Sequence, residues 1–252
     1  MRIDLNSDLG EGFGPWRMGD DAAILDVVTS ANVACGFHAG DPSIMVETAA
    51  AALARGVSLG AHPGFADLQG FGRRVIRMGA REIEHAVAYQ VGALMACAAL
   101  AGHRVTHVKA HGALSNLSNA EAEVAAAVAK GVRGVDRALR LVVMPGLVSE
   151  AAGLAEGLPV VREVFADRAY ADDGQLASRA LPGAVIADAE EAAARVVRML
   201  EAGAVETLSG GRIPVAIDTV CVHGDSPGAL ATARAVRRAL EAAGHTVMPF
   251  AD

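Results

Sequence analysis

The stretch Ile3-Asp-Leu-Asn-Ser-Asp-Leu-Gly-Glu-Gly-Phe-Gly14 predicts a short strand that runs directly into a glycine-rich turn. The turn carries the acids Asp8 and Glu11 among its glycines. Glycine permits positive φ angles and the close approach of a ligand, so this layout suits the rim of an active site. Taken alone, the stretch is more typical of an ordinary turn with solvated acids. The functional interpretation therefore depends on whether the layout recurs along the chain.

The composition predicts one large hydrophobic core. Of the 252 residues, 52% are hydrophobic, and no Pro-rich or Ser-rich linker divides them, so we expect a single domain over residues 1–252. The formal charge of -7 argues against an extended nucleic-acid or membrane surface. The N-terminus lacks the apolar run of a signal peptide, and no uninterrupted apolar segment reaches the roughly 18 residues of a membrane span. We therefore expect a cytoplasmic protein.

The three cysteines are widely spaced in the sequence. Their odd number and spacing indicate neither a disulfide framework nor a zinc ribbon, so we expect small buried hydrophobes. Cys221 lies two residues before His223, and its reactivity is therefore the one to check.

Short apolar runs alternate with alanine-rich helical stretches along the whole chain. Helices are predicted where an acid or hydroxyl residue precedes such a stretch, in some cases with the spacing of a capping box. Strands are predicted over residues 31–35, 57–61, 105–109, 141–144, 160–165 and 215–222, with 183–186 as a short strand or a connector. Helices are predicted from Asp20 or Asp21 to about Ser30, from Asp41 to Ala54, from Ala80 to Leu100, from the Ser118/Glu121 capping box to Lys130, from the Asp188/Glu191 capping box to Gly203, and from Ser226 to Gly244.

This alternation predicts an α/β fold with a parallel sheet, closed into a TIM-barrel-like (β/α) barrel that is distorted or seven-stranded. An open doubly wound sheet is the alternative. In both folds the loops after the carboxyl ends of the strands meet at one face and carry the chemistry. These loops contain Asp8, Glu11, His38, Asp41, His62, Lys109, His111, Asp167, Arg168, His223 and Asp225.

Several of these residues also have a purely structural interpretation. A histidine at a strand end is often a buried side chain that is hydrogen-bonded to backbone carbonyls and has no catalytic role. Asp41 is well placed to cap a helix. Lys109 is harder to explain structurally, because an amine at the end of an apolar strand is costly to bury without a carboxylate or an anionic ligand. His107 precedes it by two residues and shares its face of the strand, which suggests a supporting role.

Six motifs in a fixed order resemble the LamB/YcsF family over essentially the whole chain. They are Asp4-Leu-Asn-Ser-Asp-Leu-Gly-Glu-Gly-Phe-Gly, Asn32-Val-Ala-Cys-Gly-Phe-His-Ala-Gly-Asp-Pro, Gly60-Ala-His-Pro-Gly-Phe, Val108-Lys-Ala-His-Gly-Ala-Leu, Glu163-Val-Phe-Ala-Asp-Arg-Ala-Tyr and Val222-His-Gly-Asp. The resemblance implies a barrel related to glycoside hydrolases and polysaccharide deacetylases. It also implies the A subunit of an ATP-dependent 5-oxoprolinase, a hydrolase that works with subunits B and C and opens 5-oxo-L-proline to L-glutamate.

On this interpretation, Asp8 or Glu11 activates water, with His38 or His62 as alternatives, and other residues hold the substrate or move protons. The catalytic candidates are Asp8, Glu11, His38, His62, Lys109, His111 and His223. The substrate-binding candidates are Asn6, Asp41, Asp167, Arg168 and Asp225.

The cofactors are less well defined by the sequence. No Gly-x-x-x-x-Gly-Lys-Ser/Thr loop is present, so ATP is expected to bind mainly to the partner subunits. A divalent metal remains open, with Asp8, His38, His62 and His223 as candidate ligands. The alternatives to a 5-oxoprolinase component are a metal-dependent deacetylase or amidohydrolase acting on a carbohydrate or cyclic amide, and a non-catalytic 5-oxoproline-binding protein.

Overall fold

Strands and helices alternate in the computed structural model, which describes residues 1–224 and 228–250. The strands are β1 (Arg2–Leu9), β2 (Ser30–Ala34), β3 (Ser58–His62), β4 (Val105–Lys109), β5 (Arg140–Val143), β6 (Val160–Phe165), β7 (Ala204–Glu206), β8 (Arg212–Pro214), β9 (Thr219–Cys221) and β10 (Thr246–Val247). The helices are α1 (Asp21–Leu25), α2 (Pro42–Ala54), α3 (Ala80–Leu100), α4 (Gly112–Ala120), α5 (Ala122–Val135), α6 (Val148–Ala155), α7 (Ala189–Ala202) and α8 (Ala229–Ala242).

Seven strands form a closed parallel barrel in the order β1-β2-β3-β4-β5-β6-β9, and β9 pairs with β1 to complete the ring. The short strand β10 extends the amino-terminal end of β1, where Arg2 pairs with Thr246. The antiparallel pair β7 and β8 forms a separate two-stranded sheet. The prediction of a seven-stranded barrel is therefore confirmed, and the open doubly wound sheet is wrong.

Three predicted boundaries differ from the structure. Helix α1 ends at Leu25, because Ser30 already belongs to β2 and pairs with β3. The strand predicted over residues 215–222 is reduced to β9, since the preceding residues connect it to β8. Ser118 caps no helix, because α4 has already begun at Gly112 and the Ser118 hydroxyl donates to the Ser115 carbonyl within it.

Two predicted helix caps are confirmed. The carboxylate of Asp41 accepts hydrogen bonds from the first backbone amides of α2, and that of Asp188 accepts from the Glu191 amide at the start of α7. The predicted start of the last helix at Ser226 lies outside the described residues, and α8 begins at Ala229.

The inside of the barrel is polar. The Asn6 side-chain amide donates to Glu163 Oε1 at 3.0 Å and to Thr219 Oγ1 at 2.7 Å. The Asn32 amide donates to Asn6 Oδ1 at 2.8 Å and to Asp8 Oδ1 at 2.9 Å. Because buried polar groups are stable only when they are paired, these bonds hold the strands in one register. They also connect the middle of the barrel to the carboxyl ends of its strands.

Gly60 leaves the space that the His107 ring fills inside the barrel. A Cβ at position 60 would overlap the imidazole. The ring cannot simply move away, because its nitrogens contact Thr106 Oγ1 at 2.9 Å and Asn32 Oδ1 at 3.0 Å. On the other side, the Phe250 ring lies edge-on to His107 with centroids 5.0 Å apart.

Gly60→Ala is therefore expected to lower the free energy of unfolding by about 1–3 kcal/mol, because the added methyl group overpacks the barrel. Gly92→Ala is the matched control, since Gly92 lies within α3 and an added Cβ meets no atom within 4 Å. The free energy of unfolding of that control should rise by about 0.5–1 kcal/mol, because alanine loses less backbone entropy than glycine on folding. Urea unfolding of both variants measures the difference, and equal effects at the two positions would contradict the packing argument.

Among the described helices, α3 alone is long and apolar enough to cross a membrane by length and composition. It packs against β3, β4, α2 and α5, and its residues Val87, Val91 and Leu94 are fully buried. A core helix of a globular fold has the same properties, so α3 gives only weak support for a membrane span.

Candidate active site

The carboxyl ends of the barrel strands surround a cavity of about 390 Å³. Strands β1, β3 and β4 contribute Asp8, His62 and Lys109, because alternation turns every second side chain of a strand inward. The remaining polar lining comes from the loops that follow the strands and from the first turns of α4. These residues are Glu11, Arg73, His111, Ser115, Asn116, Arg168, Ser178, Arg179 and His223.

Lys109, Asp8 and Glu163 form a buried ion-pair network at the bottom of this cavity. Lys109 Nζ lies 2.9 Å from Asp8 Oδ1 and 2.8 Å from Glu163 Oε1. It also lies 3.0 Å from Cys221 Sγ. Burial by itself lowers the pKa of Lys109, but the carboxylates of Asp8 and Glu163 outweigh it, and the pKa lies well above its usual value. The ammonium group is therefore charged at neutral pH.

Asp8 is ionised at neutral pH despite its burial. Burial raises the pKa of its carboxyl, but His62 and the Lys109 ammonium lower it more, so the pKa stays well below the usual value. Asp8 Oδ2 lies 3.4 Å from His62 Nε2. A carboxylate with so low a pKa is a poor proton acceptor. Asp8 is thus better suited to orienting groups than to acting as the base.

Four buried residues beside Asp8, which we call the Glu–His cluster, place one carboxylate and three imidazoles around a common point. They are Glu11, His38, His62 and His111, whose potential ligand atoms all lie within 4.8 Å of one another. The rings of His38 and His111 stack with centroids 3.7 Å apart and an interplanar angle of 4°. Burial, with the neighbouring histidines, lowers the pKa of His38 well below its usual value and that of His111 to about 3. These two rings are therefore neutral, which is the form that binds metals.

His223 and Asp167 form a pair on the other side of the cavity. His223 Nδ1 lies 2.9 Å from Asp167 Oδ2, and the ring stacks on Phe165 with centroids 5.4 Å apart. Burial raises the pKa of Asp167, but His223 lowers it more, so the carboxyl titrates below its usual range. The carboxylate holds Nδ1 as a donor, which leaves Nε2 as the ring nitrogen available for proton transfer.

Arginines provide positive charge at the rim of the cavity. Arg168 donates from Nη2 to the Ala177 carbonyl at 2.7 Å, while its buried Nε has no hydrogen-bond partner within the described part of the chain. Arg73 and Arg179 also line the cavity. A guanidinium can bind a carboxylate or a phosphate through two parallel hydrogen bonds. This rim is therefore suited to an anionic ligand.

Comparison with known proteins identifies the family of this barrel. Residues 3–252 match the sequence model of the LamB/YcsF family. The chain belongs to the LamB/YcsF family.

Relatives of this LamB/YcsF chain match it over nearly the full length. The protein named as the A subunit of 5-oxoprolinase in Rhodopseudomonas palustris strain BisB5 is 60% identical over 252 residues, which are 100% of this chain and 99% of that protein. The protein of the same name in Gluconobacter oxydans strain 621H is 54% identical, over 97% of this chain and 96% of its own length. The solved structure of a "Lactam Utilization Protein" from Thermus thermophilus is 48% identical, with a TM-score of 0.94 over 99% of this chain and 100% of that one.

The LamB/YcsF barrel brings most of the sequence-predicted site residues to one place. His38 belongs to the Glu–His cluster but does not line the cavity, Asn6 shares the inward face of β1 with Asp8, and Asp167 contacts His223. Asp41 is not in the cavity lining, because its carboxylate accepts from the backbone amides of Gly14, Ser43 and Ile44. Asp225 lies outside the described residues. The cavity itself is lined by Asp8, Glu11, His62, Lys109, His111, Arg168 and His223.

Two groups of this LamB/YcsF site are not predictable from strand-end motifs. Glu163 contacts Lys109 from inside β6, and its inward direction could have been found from its position two residues before Phe165. Arg73 reaches the cavity from a loop, where no periodicity applies.

Cys221 is inward-facing and buried, and burial raises the pKa of its thiol well above the usual value. It therefore stays a thiol rather than a reactive thiolate.

Asp4, at the other end of the polar interior, should make stability pH-dependent. Burial raises its pKa from 3.8 to about 6, although the hydroxyls of Ser30, Thr219 and Thr29 donate to it. The folded state then holds this proton more tightly than the unfolded state. Stability should fall as pH rises from about 4 to about 6, by roughly 3 kcal/mol for this group, and then stay level.

The variant Asp4→Asn tests this contribution, because an amide does not titrate. We expect the free energy of unfolding of the wild type, relative to Asp4→Asn, to decrease by roughly 3 kcal/mol between pH 4 and pH 7. Urea unfolding at the two pH values measures the difference, and a difference that does not change with pH would contradict the raised pKa.

Proposed function

We propose that this chain is the A subunit of a 5-oxoprolinase, in which it binds 5-oxo-L-proline and opens the lactam ring to give L-glutamate. The observation that carries the proposal is the 60% identity over the full chain to a relative with that name. A second relative, named for lactam utilization, shares the whole barrel at a TM-score of 0.94.

The cavity suits the two charged parts of this reaction. The carboxylate of 5-oxoproline would bind at the rim, where Arg168, Arg73 and Arg179 provide guanidinium donors. The lactam oxygen would then face the Lys109 ammonium at the bottom of the cavity. Because that ammonium is held between two carboxylates, it is positioned before the substrate arrives. Preorganised positive charge of this kind would stabilise the negative charge of a phosphoryl group on the lactam oxygen.

The His223–Asp167 pair would move the protons. Ring opening breaks the bond between the carbonyl carbon and the nitrogen, and the nitrogen must receive a proton as it leaves. Asp167 fixes the His223 ring with Nε2 available for proton transfer. His223 therefore acts as general acid and base, and Asp167 is its positioning residue.

Coupling to ATP is part of the proposal, and it needs partner proteins. Transfer of the γ-phosphoryl group to the lactam oxygen forms an O–P bond and releases ADP, which makes the ring carbon a better electrophile. Water then adds, the C–N bond breaks to give an acyl phosphate of glutamate, and a second water releases phosphate. We propose that subunits B and C bind most of the nucleotide, because the chain has no Gly-x-x-x-x-Gly-Lys-Ser/Thr loop. We also propose that this reaction takes place in the cytoplasm.

Reconstitution with purified B and C subunits tests this function. We expect 5-oxoproline-dependent release of ADP and phosphate, with one glutamate formed per ATP, only when all three proteins are present. Calorimetry with the isolated chain measures whether it binds 5-oxoproline. Binding without loss of turnover in Lys109→Met or His223→Asn would instead make the chain a non-catalytic binding protein, and absence of coupling with three folded proteins would refute the proposal.

A further inference from the structure

Backbone contacts determine which nitrogen of two cluster histidines carries hydrogen. His62 Nδ1 lies 2.8 Å from the Lys109 carbonyl oxygen, and His111 Nε2 lies 2.8 Å from the Phe71 carbonyl oxygen. A carbonyl oxygen only accepts, so both of these nitrogens must be N–H donors. In the neutral rings, His62 Nε2 and His111 Nδ1 therefore carry lone pairs. Asp8 Oδ2, 3.4 Å from His62 Nε2, also only accepts, and it adds to the need for positive charge at that nitrogen.

These two lone pairs point at each other. His62 Nε2 and His111 Nδ1 are 3.0 Å apart. Two acceptors at this distance repel unless positive charge lies between or beside them. The charge can be an additional proton on one of the rings or a bound cation. The surroundings of the pair distinguish these two possibilities.

His38 indicates a cation rather than a proton. Its ring is fully buried, and within residues 1–224 and 228–250 neither of its nitrogens has a hydrogen-bond partner. Burying an imidazole without a partner costs free energy, and a proton shared by His62 and His111 does nothing to satisfy it. Glu11 Oε1 lies 3.9 Å from both His38 Nε2 and His111 Nδ1, which is too long for a hydrogen bond. One ion at the centre of the four side chains would give His38 a partner and would place positive charge between the lone pairs of His62 and His111.

We propose that Glu11, His38, His62 and His111 bind one divalent transition-metal ion of the Zn²⁺ type. In a four-coordinate site with bonds of about 2.0–2.1 Å, neighbouring ligand atoms are roughly 3.3 Å apart. The observed separations of 3.0 Å and 3.9 Å lie on either side of that value. Three imidazoles and one carboxylate suit Zn²⁺ or Co²⁺, whereas Mg²⁺ and Ca²⁺ prefer oxygen ligands. This set shares His38 and His62 with the sequence prediction, and it replaces Asp8 and His223 by Glu11 and His111.

The loops around the cluster are shaped to hold these rings. Gly72 has φ +62°, and a Cβ there would lie 2.7 Å from His38 Cβ and 2.9 Å from His111 Cδ2. A Cβ at Gly64 would lie 2.7 Å from His38 Nδ1. Phe71 has φ 54°, an unfavourable value for a non-glycine residue, and it presents its carbonyl to His111. Carbonyls that fix the outer nitrogen of a ligating histidine are typical of metal sites.

The ion would lie in the wall of the active-site cavity, where Glu11, His62 and His111 are exposed to it. Its role rests on the proposed function: a bound divalent cation would supply Lewis-acid polarisation of a carbonyl or a more acidic water. Its binding does not depend on that function. A metal assay of the isolated chain can therefore fail or succeed independently of the 5-oxoprolinase assay.

The test is a metal titration of the isolated chain after treatment with chelator. We expect uptake of about one Zn²⁺ or Co²⁺ per chain, a visible d–d absorption band of tetrahedral Co²⁺, and a higher Tm with Zn²⁺ but not with Mg²⁺. Both His38→Gln and Glu11→Gln should reduce Zn²⁺ affinity by at least about 10-fold and remove the Tm increase. The Tm of each metal-free variant, measured alongside, shows whether it has folded.

Two control variants distinguish Zn²⁺ binding at the Glu–His cluster from Zn²⁺ binding by other histidines. His85 is exposed on α3, so His85→Gln should bind Zn²⁺ like the wild type. His223→Gln should also retain the ion, because His223 is bonded to Asp167 and is not part of the cluster. Failure of the wild type to take up Zn²⁺ or Co²⁺ would overturn the proposal and leave a shared proton between His62 and His111. Unchanged uptake in folded His38→Gln and Glu11→Gln would overturn it as well.

Discussion

Lys109→Met is expected to lower the free energy of unfolding by about 3–5 kcal/mol, because it leaves the buried carboxylates of Asp8 and Glu163 without their cation. It should also reduce 5-oxoproline-dependent ATP hydrolysis of the assembled enzyme by about 10²–10³-fold, since in the proposed mechanism this substitution removes the positive charge that faces the phosphoryl group on the lactam oxygen. Urea unfolding measures the first effect, and the reconstituted assay measures the second.

The matched control is Lys130→Met, because Lys130 is the other lysine of the chain and is exposed on α5. Its free energy of unfolding should lie within about 0.5 kcal/mol of the wild-type value. Adding Glu163→Gln to Lys109→Met should restore part of the lost stability, because a neutral amide needs no counter-charge. If the free energy of unfolding of the single variant Lys109→Met lay within about 1 kcal/mol of the wild-type value, the ion-pair network would contribute less to stability than its burial implies.

His223→Asn is expected to lower kcat of the assembled enzyme by about 10²–10⁴-fold while leaving KM for 5-oxoproline nearly unchanged. The physical reason is that, in the proposed mechanism, the ring transfers a proton in the transition state and does not bind the substrate carboxylate at the arginine rim. Asp167→Asn should give a smaller loss of kcat and a shifted pH profile, since it removes the group that holds the ring. Steady-state kinetics from about pH 5 to about pH 9 measure all of these effects.

The effects of His223→Asn and Asp167→Asn on kcat should not be additive. If His223 and Asp167 act as one unit, the double variant should be about as slow as His223→Asn alone. His85→Gln, on the exposed face of α3, should have wild-type kinetics. Losses of kcat that multiply in the double variant would contradict the assignment of Asp167 as a positioning residue.

Much of this fold could be predicted from the sequence. The alternation of strands and helices predicts a parallel barrel, and parallel topology then predicts that strand ends separated by more than two hundred residues share one face. The same reasoning selects Asp8, His62, Lys109 and His111. The structure accordingly places them around one cavity.

The remaining parts depend on distances that no motif encodes. Asp41 has the residue type and position of a ligand, but its backbone partners make it a helix cap. Glu11 and His223 each follow a strand, and only the folded geometry places Glu11 with three histidines and His223 with Asp167. Glu163 contributes from within a strand rather than from a strand-end loop, so reasoning from the strand ends alone does not select it.

The contact between β1 and β9 should make this site form late in folding. Asp4 pairs with Thr219 across that contact, and Asn6 donates to the Thr219 hydroxyl over a separation of 213 residues. During synthesis, β1 emerges well before β9, so this pairing cannot form until about two hundred further residues have been made. Contacts this distant in sequence are slow to form, so ring closure should limit the refolding rate. Until then, the incomplete sheet exposes asparagine, aspartate and lysine along its inner face, and these polar groups discourage the apolar association that threatens slow-folding sheets.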